Sequence, residues 1–270
     1  MTQDFPRNLR LLCSYYKSVA EICRRLNINR PQFNRYLRGK SLPSANTMRR
    51  ICDFFGVEEH EILLPYNQFQ RLIQVRPEAT PSKVSELPET DHMKQMGKAG
   101  NTELDKYQGY YFEYHISMAC PSKLLRMLVC IERQGDKVYY KRTERFKESQ
   151  HERVCHGVYL GMAHFLTDRI FMVDYESLTG HEISQTILFP TFKNRVSRLS
   201  GLKLGVSGSG ERMPCAARVV YEYLGQSVNI MKALRLCGLY DMDTPEIEDS
   251  IKKAVKNNID PHEMHFRARH

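Results

Sequence analysis

Residues 18–39, SVAEICRRLNINRPQFNRYLRG, constrain this chain more than any other stretch. Val19, Ile22, Cys23 and Leu26 recur at i, i+3, i+4 and i+7, the spacing of one helical face. Ser18, followed three residues later by Glu21, forms a capping box that fixes where this helix starts. Asn27 tolerates the left-handed backbone that a tight turn requires, and Ile28 supplies an apolar plug behind it. Asn29 is a good N-cap for a second helix. Pro31 is tolerated in that helix's first turn, where its missing N–H had no partner. Phe33, Tyr36 and Leu37 give the second helix its buried face, and Gly39 ends it. Two short helices thus meet at a tight turn.

The flanks extend the pattern. Leu9, Leu12, Cys13 and Tyr16 share a face of an earlier helix. Ser44 caps a later one whose buried side is Met48, Ile51, Cys52 and Phe55, closed by Gly56. A short helix over 58–64 adds Ile62 and Leu63. Residues 1–65 therefore read as a bundle of five helices. Pro65, Pro77, Pro81 and Pro88, then Gly97 and Gly100, mark 66–107 as a linker with one short helix near 83–96.

From Gly109 the period changes to two. Tyr110, Phe112, Tyr114, Ile116 and Met118 alternate with Tyr111, Glu113, His115 and Ser117, and the first set is the greasier. Further strands are predicted near 124–133, 137–142, 155–163, 169–175, 183–189, 200–206 and 216–223, with a hairpin turn at Gln134, Gly135 and Asp136. Evenly spaced short strands point to an antiparallel sandwich or barrel over 108–270. A terminal helix is expected over 246–257 and a loose tail after Pro261. The fold class is α+β multidomain.

Net charge is +9. Residues 1–50 hold eleven Lys and Arg against two Asp and Glu, and the rest carries 29 of each sign. All the excess positive charge thus lies in the helical part, the footprint expected for a polyanionic partner. No apolar run approaches the roughly 18 residues of a membrane span, and the N-terminus has no secretion-signal pattern. A cytoplasmic protein is expected. The eight cysteines form no Cys-x-x-Cys pair and are expected as buried, reduced thiols.

On the second helix, Arg30, Gln32, Asn34, Arg35 and Arg38 lie on or near the outer face. Arg can pair with guanine through two bonds, and Gln or Asn with adenine. Other signals are weaker. Ser122 and Lys123 are adjacent, but no nucleophile loop frames them. The glycine-rich 201–210 lacks the Gly-Lys-Ser/Thr of a phosphate loop and reads as a mobile hairpin loop or a lid over a ligand. His151, Cys155 and His156 could ligate metal, although alternation would send 155 and 156 to opposite faces. His262, His265 and His270 lack metal-site spacing. The many aromatics of 107–192 form a core or line a small-molecule pocket.

The stretch from about Leu9 to Leu64 resembles the lambda-repressor/Cro family of helix-turn-helix domains. The resemblance rests on Ile22-Cys23, Leu26-Asn27-Ile28 at the turn, Arg38-Gly39-Lys40, Leu42-Pro43-Ser44 and Phe55-Gly56-Val57. Val19 stands where the family often has a phosphate-contacting Gln, Asn27 replaces the usual turn Gly, and Leu37 replaces a common Glu. The resemblance implies a transcriptional regulator, such as a repressor, that binds double-stranded DNA as a homodimer on paired half-sites. It assigns base reading to Arg30, Gln32, Asn34 and Arg35, and backbone contacts to Ser18, Asn29, Arg38 and Lys40. The β-rich part is expected to sense a small-molecule effector or to assemble the dimer. No catalytic residue, cofactor or metal is expected. The alternatives are an enzyme, or an antitoxin-like partner binder, whose helix-turn-helix serves autoregulation.

Overall fold

The computed structural model describes residues 4–74, 101–147, 154–191, 193, 195–208 and 210–269. The chain divides into two compact units, one of residues 1–74 with 229–236 and one of residues 75–228 with 237–270.

The first unit contains α1 (Phe5–Ser14), α2 (Val19–Leu26), α3 (Arg30–Leu37), α4 (Ala45–Phe55), α5 (Glu59–Ile62), α6 (Tyr66–Ile73) and α7 (Ile230–Arg235). The five expected helices are all present. Phe5, Leu9, Leu12, Ile22, Phe33, Ile51, Ile62 and Phe69 are fully buried and form its centre. Four expected core positions differ, Tyr16 and Val19 being only half-buried. Leu63 is 40% exposed and Leu37 is only half-buried, because each lies at the last residue or C-cap of its short helix and looks past the bundle. The helices α6 and α7 were not expected. Pro65 is the N-cap of α6, where a missing N–H costs nothing, and Phe69 and Ile73, four residues apart, are buried. The start of the segment read as a linker is therefore a packed helix, and the helix expected near 83–96 lies outside the described residues.

The second unit is a closed antiparallel barrel. Its strands are β1 (Gly109–Ile116), β2 (Lys123–Gln134), β3 (Lys137–Phe146), β4 (Cys155–Leu166), β5 (Arg169–Glu176), β6 (Ile183–Leu188), β7 (Arg198–Val206) and β8 (Pro214–Gly225). Each pairs with the next in chain order, and β8 returns to pair with β1, with Glu113 opposite Tyr221 and Tyr110 opposite Gly225. Of the two architectures open from the sequence, sandwich and barrel, the structure is the barrel. A short β9 (Gly238–Asp241) adds to the start of β2, and α8 (Asp249–Ala254) is the terminal helix.

One end of the barrel is filled. A 3-10 helix (Asn101–Tyr107) brings Leu104 and Tyr107 into a core with Tyr111, Val129, Ile131, Val138, Tyr140, Ile170, Met172, Leu188, Leu199, Val219 and Tyr221. On β1 the set facing this interior is Tyr111, Glu113 and His115, not the greasier one. Phe112 and Tyr114 face outward and are buried too, with the Arg126 guanidinium over both rings. Double burial hides the inward face from a period-two reading. The tail after Pro261 is held rather than loose. The guanidinium of Arg218, 1% exposed, donates to the carbonyls of Lys256, Asn258 and Arg267 and sits 4.4 Å from the Phe266 ring centre.

Candidate nucleic-acid interface

The recognition unit is α2, the turn 27–29 and α3. Ser18 accepts a hydrogen bond from the Glu21 amide at 3.2 Å and starts α2. Asn27 adopts the left-handed conformation (φ 49°, ψ 48°), and the amides of Asn27 and Ile28 close the helix on the carbonyls of Arg24 and Cys23. Ile28, 8% exposed, plugs the turn. The Asn29 side-chain oxygen accepts from the Gln32 amide at 2.8 Å and starts α3, with Pro31 in its first turn. Phe33 and Tyr36 anchor α3, their rings meeting edge-on at 6.5 Å. A second tie, absent from any sequence pattern, is the Arg50 guanidinium, which donates to the Leu26 carbonyl at the end of α2.

Anchoring one side of α3 leaves the other free. Arg30, Pro31, Asn34, Arg35, Arg38 and Lys40 line one shallow groove. Arg30, Arg35, Arg38 and Lys40 are exposed, and none forms a salt bridge among the described residues. Four cations without acidic partners around one groove repel one another, a cost that a polyanion would remove.

The structure thus brings together Arg30, Asn34, Arg35, Arg38 and Lys40, while three other candidates stand apart from the groove. Ser18 and Asn29 hold the helix N-termini. Each uses an oxygen as acceptor there, leaving the Ser18 O–H and the Asn29 NH2 as donors. Gln32 is exposed, but its Nε2 donates to the Tyr36 hydroxyl at 2.6 Å. Reading adenine with both ends of the Gln32 amide requires that bond to break.

The sharper chemical signals find no active arrangement here. Lys123 pairs with Asp241 at 2.5 Å rather than with a serine nucleophile. No group of three metal-ligating side chains occurs among the described residues, and His151 and His270 lie outside them. No helix is long and apolar enough to cross a membrane among the described residues.

Residues 7–64 match the family model described as a helix-turn-helix domain. No curated protein and no solved structure matches the chain. The capped α2, left-handed Asn27 and capped α3 fall inside that match, and residues 7–64 are a helix-turn-helix domain of the Cro-like kind.

Proposed function

We propose that this protein is a sequence-specific transcriptional regulator that lays α3 in the major groove of operator DNA. The observation that carries the reading is the unpaired cationic groove of α3, formed by Arg30, Arg35, Arg38 and Lys40. Arg30 and Arg35 are its base readers, with Asn34 beside them and Gln32 after release from Tyr36. Ser18, Asn29, Arg38 and Lys40 serve the phosphates, which fix register without reading sequence. The location that follows from this reading is the cytoplasm.

The reading includes a homodimer on paired half-sites. It is supported by the outer face of the barrel, where Val173, Tyr175, Ile183, Ile187 and Leu204 are exposed on three adjacent strands without a charge among them. A second copy of the chain, bringing the same face across a two-fold axis, would cover an apolar patch of this kind. The barrel then serves sensing or assembly rather than catalysis.

The test is selection from a random duplex library with the full chain, followed by sedimentation on the selected site. Arg30→Ala and Arg35→Ala should each cost about 1–3 kcal/mol on the selected site and little on random DNA. Lys40→Ala should weaken all sequences alike and reduce the salt slope by about 1. A library without enrichment would refute the regulator reading. A protein that stays monomeric both alone and on its site would refute the dimer.

A further inference from the structure

The filled end of the barrel is the floor of a cavity of about 500 Å³ that opens at the other end. That volume lies within the range of small-molecule sites. Its walls are not the aromatic lining that the sequence suggested. Among the described residues, Tyr159 and Phe146 are the only phenyl rings in its lining, and its charged members are Arg142, Glu144, Glu176, Glu182, Lys203 and, held by the His181 carbonyl, Arg212.

The charges form two layers. The deeper holds Glu113, Arg142, Asp174 and Lys203, one from each of β1, β3, β5 and β7, none more than 3% exposed. Arg142 grips Asp174 through Nε at 3.0 Å and Nη2 at 3.1 Å, and Nη2 also donates to Ser184 at 3.0 Å. Lys203 Nζ donates to Glu113 at 2.5 Å, and Tyr221 donates to the other Glu113 oxygen at 2.7 Å. The quartet is neutral as a whole, yet only its cations, Arg142 and Lys203, reach the cavity wall. The floor presented to a ligand is therefore positive, with its counter-ions behind.

Two residues nearer the mouth the sign reverses. Glu144 and Glu182 face the cavity on either side of the Tyr159 hydroxyl, at 3.4 and 3.2 Å. One phenolic proton cannot satisfy both carboxylates. Neither forms a salt bridge among the described residues. Both occupy slots left by glycines. A Cβ on Gly157 would lie 2.5 Å from the Glu144 carboxylate, and one on Gly205 would lie 2.8 Å from that of Glu182. Beside them His115, 4% exposed, lines the cavity with an Nδ1 that makes no hydrogen bond; it stands 3.3 Å from Glu113 outside bonding geometry. Glu176 is different, because the Leu178 and Thr179 amides and the Thr179 hydroxyl already saturate it.

We infer that this cavity binds a small zwitterion of the α-amino-acid type, its carboxylate on Arg142 and Lys203 and its ammonium between Glu144 and Glu182. The layers are one same-face step apart, about 6.6 Å along a strand, a span that side-chain reach and the ligand divide between them. Its side chain points to the mouth, where Met118, Phe146 and Val206 lie. Burial raises the Glu144 carboxyl against the pull of Arg142 and Lys203, and burial then Arg142 lowers the Lys203 ammonium. Glu144 has no salt-bridge partner among the described residues, Lys203 keeps N–H donors beyond the one it gives Glu113, and one ligand carrying both signs serves the two together.

The inference rests on the sensing half of the proposed function, but its test needs no DNA, so either can fail alone. The full chain is titrated calorimetrically with each of the twenty amino acids, and with acetate and methylamine as the separated halves. At least one amino acid should bind one to one and raise Tm, with neither half binding comparably. Glu182→Gln, at the half-exposed mouth, should weaken binding tenfold or more, and Gly205→Ala should do so with every charge retained. Near-UV dichroism confirms that both variants are folded. The inference is overturned by silence across the twenty, by acetate or methylamine binding as tightly, or by a folded Glu182→Gln within twofold of the parent.

Discussion

Single side chains with two duties decide much of the helical unit. Asn8, fully buried on α1, donates through Nδ2 to the carbonyls of Ile62 at 2.9 Å and Leu64 at 2.8 Å. The first ends α5, a four-residue helix too short to satisfy its own acceptors, and the second lies just past its C-cap Leu63. Asn8→Ala should cost about 1–3 kcal/mol for each carbonyl left bare, read as a lower midpoint in thermal or urea unfolding. A midpoint equal to the parent's would show that water replaces the amide. Nothing in the sequence marks Asn8 for this role, since its partners are 54 and 56 residues away. The caps Ser18, Asn29 and Ser44 were legible for the opposite reason: each bonds an amide three residues ahead. The cysteines divide similarly. Burial pushes the thiols of Cys13, Cys52 and Cys237 up to about 12, which keeps them unreactive, while Cys155 is exposed at the start of β4.

Among elements, strong periodicity and local turns carried the reading. All eight strands of the barrel stand where alternation placed them, with ends that differ by up to four residues, as β3 continues to Phe146. The elements that were missed are short. α6 followed a proline that also fits a linker, and α7 and β9 are six and four residues long. Of the glycine-rich run, 201–206 belongs to β7 rather than to a loop. Gly201 is required there because a Cβ would fall 2.0 Å from the Ile187 carbonyl oxygen. The structural weight of α6 can be measured. Phe69 is fully buried, so Phe69→Ala in the full chain should cost about 3–5 kcal/mol in the unfolding of the helical unit. A loss below 1 kcal/mol would mean that α6 is dispensable.

For the molecule as a whole, what sequence patterns could not convey was the inside of the barrel. Glu113, Arg142, Asp174 and Lys203 come from four different strands and meet only when β8 closes on β1, so no single stretch shows them together. The cationic groove of α3, formed within eleven consecutive positions, follows from local pattern; the cavity, assembled from residues spread over 115–212, does not. The buried quartet has a measurable signature. Burial alone would raise the Glu113 carboxyl, but Lys203 and Arg142 outweigh it and hold it well below the usual range. A carboxyl depressed on folding stabilises above its unfolded value of about 4.3, and that contribution is lost as pH falls toward the folded value. Urea midpoints should therefore decline below about pH 4.3. Glu113→Gln should cost about 3–5 kcal/mol at pH 7, by stranding Lys203, and should flatten the acid decline. An unchanged acid limb in that variant would assign the decline to other carboxyls.

The closure between β1 and β8 also has a mechanical side. The polypeptide enters the ring at Gly109 and leaves it at Gly225, at the same end of two antiparallel strands and next to each other. Tension applied through the flanking chain would not load all the rungs of that ladder at once. Once the 3-10 helix on one side and β9 on the other had let go, it would peel them singly from the Tyr110 end, so the seam is the part of the barrel that a pull opens rung by rung.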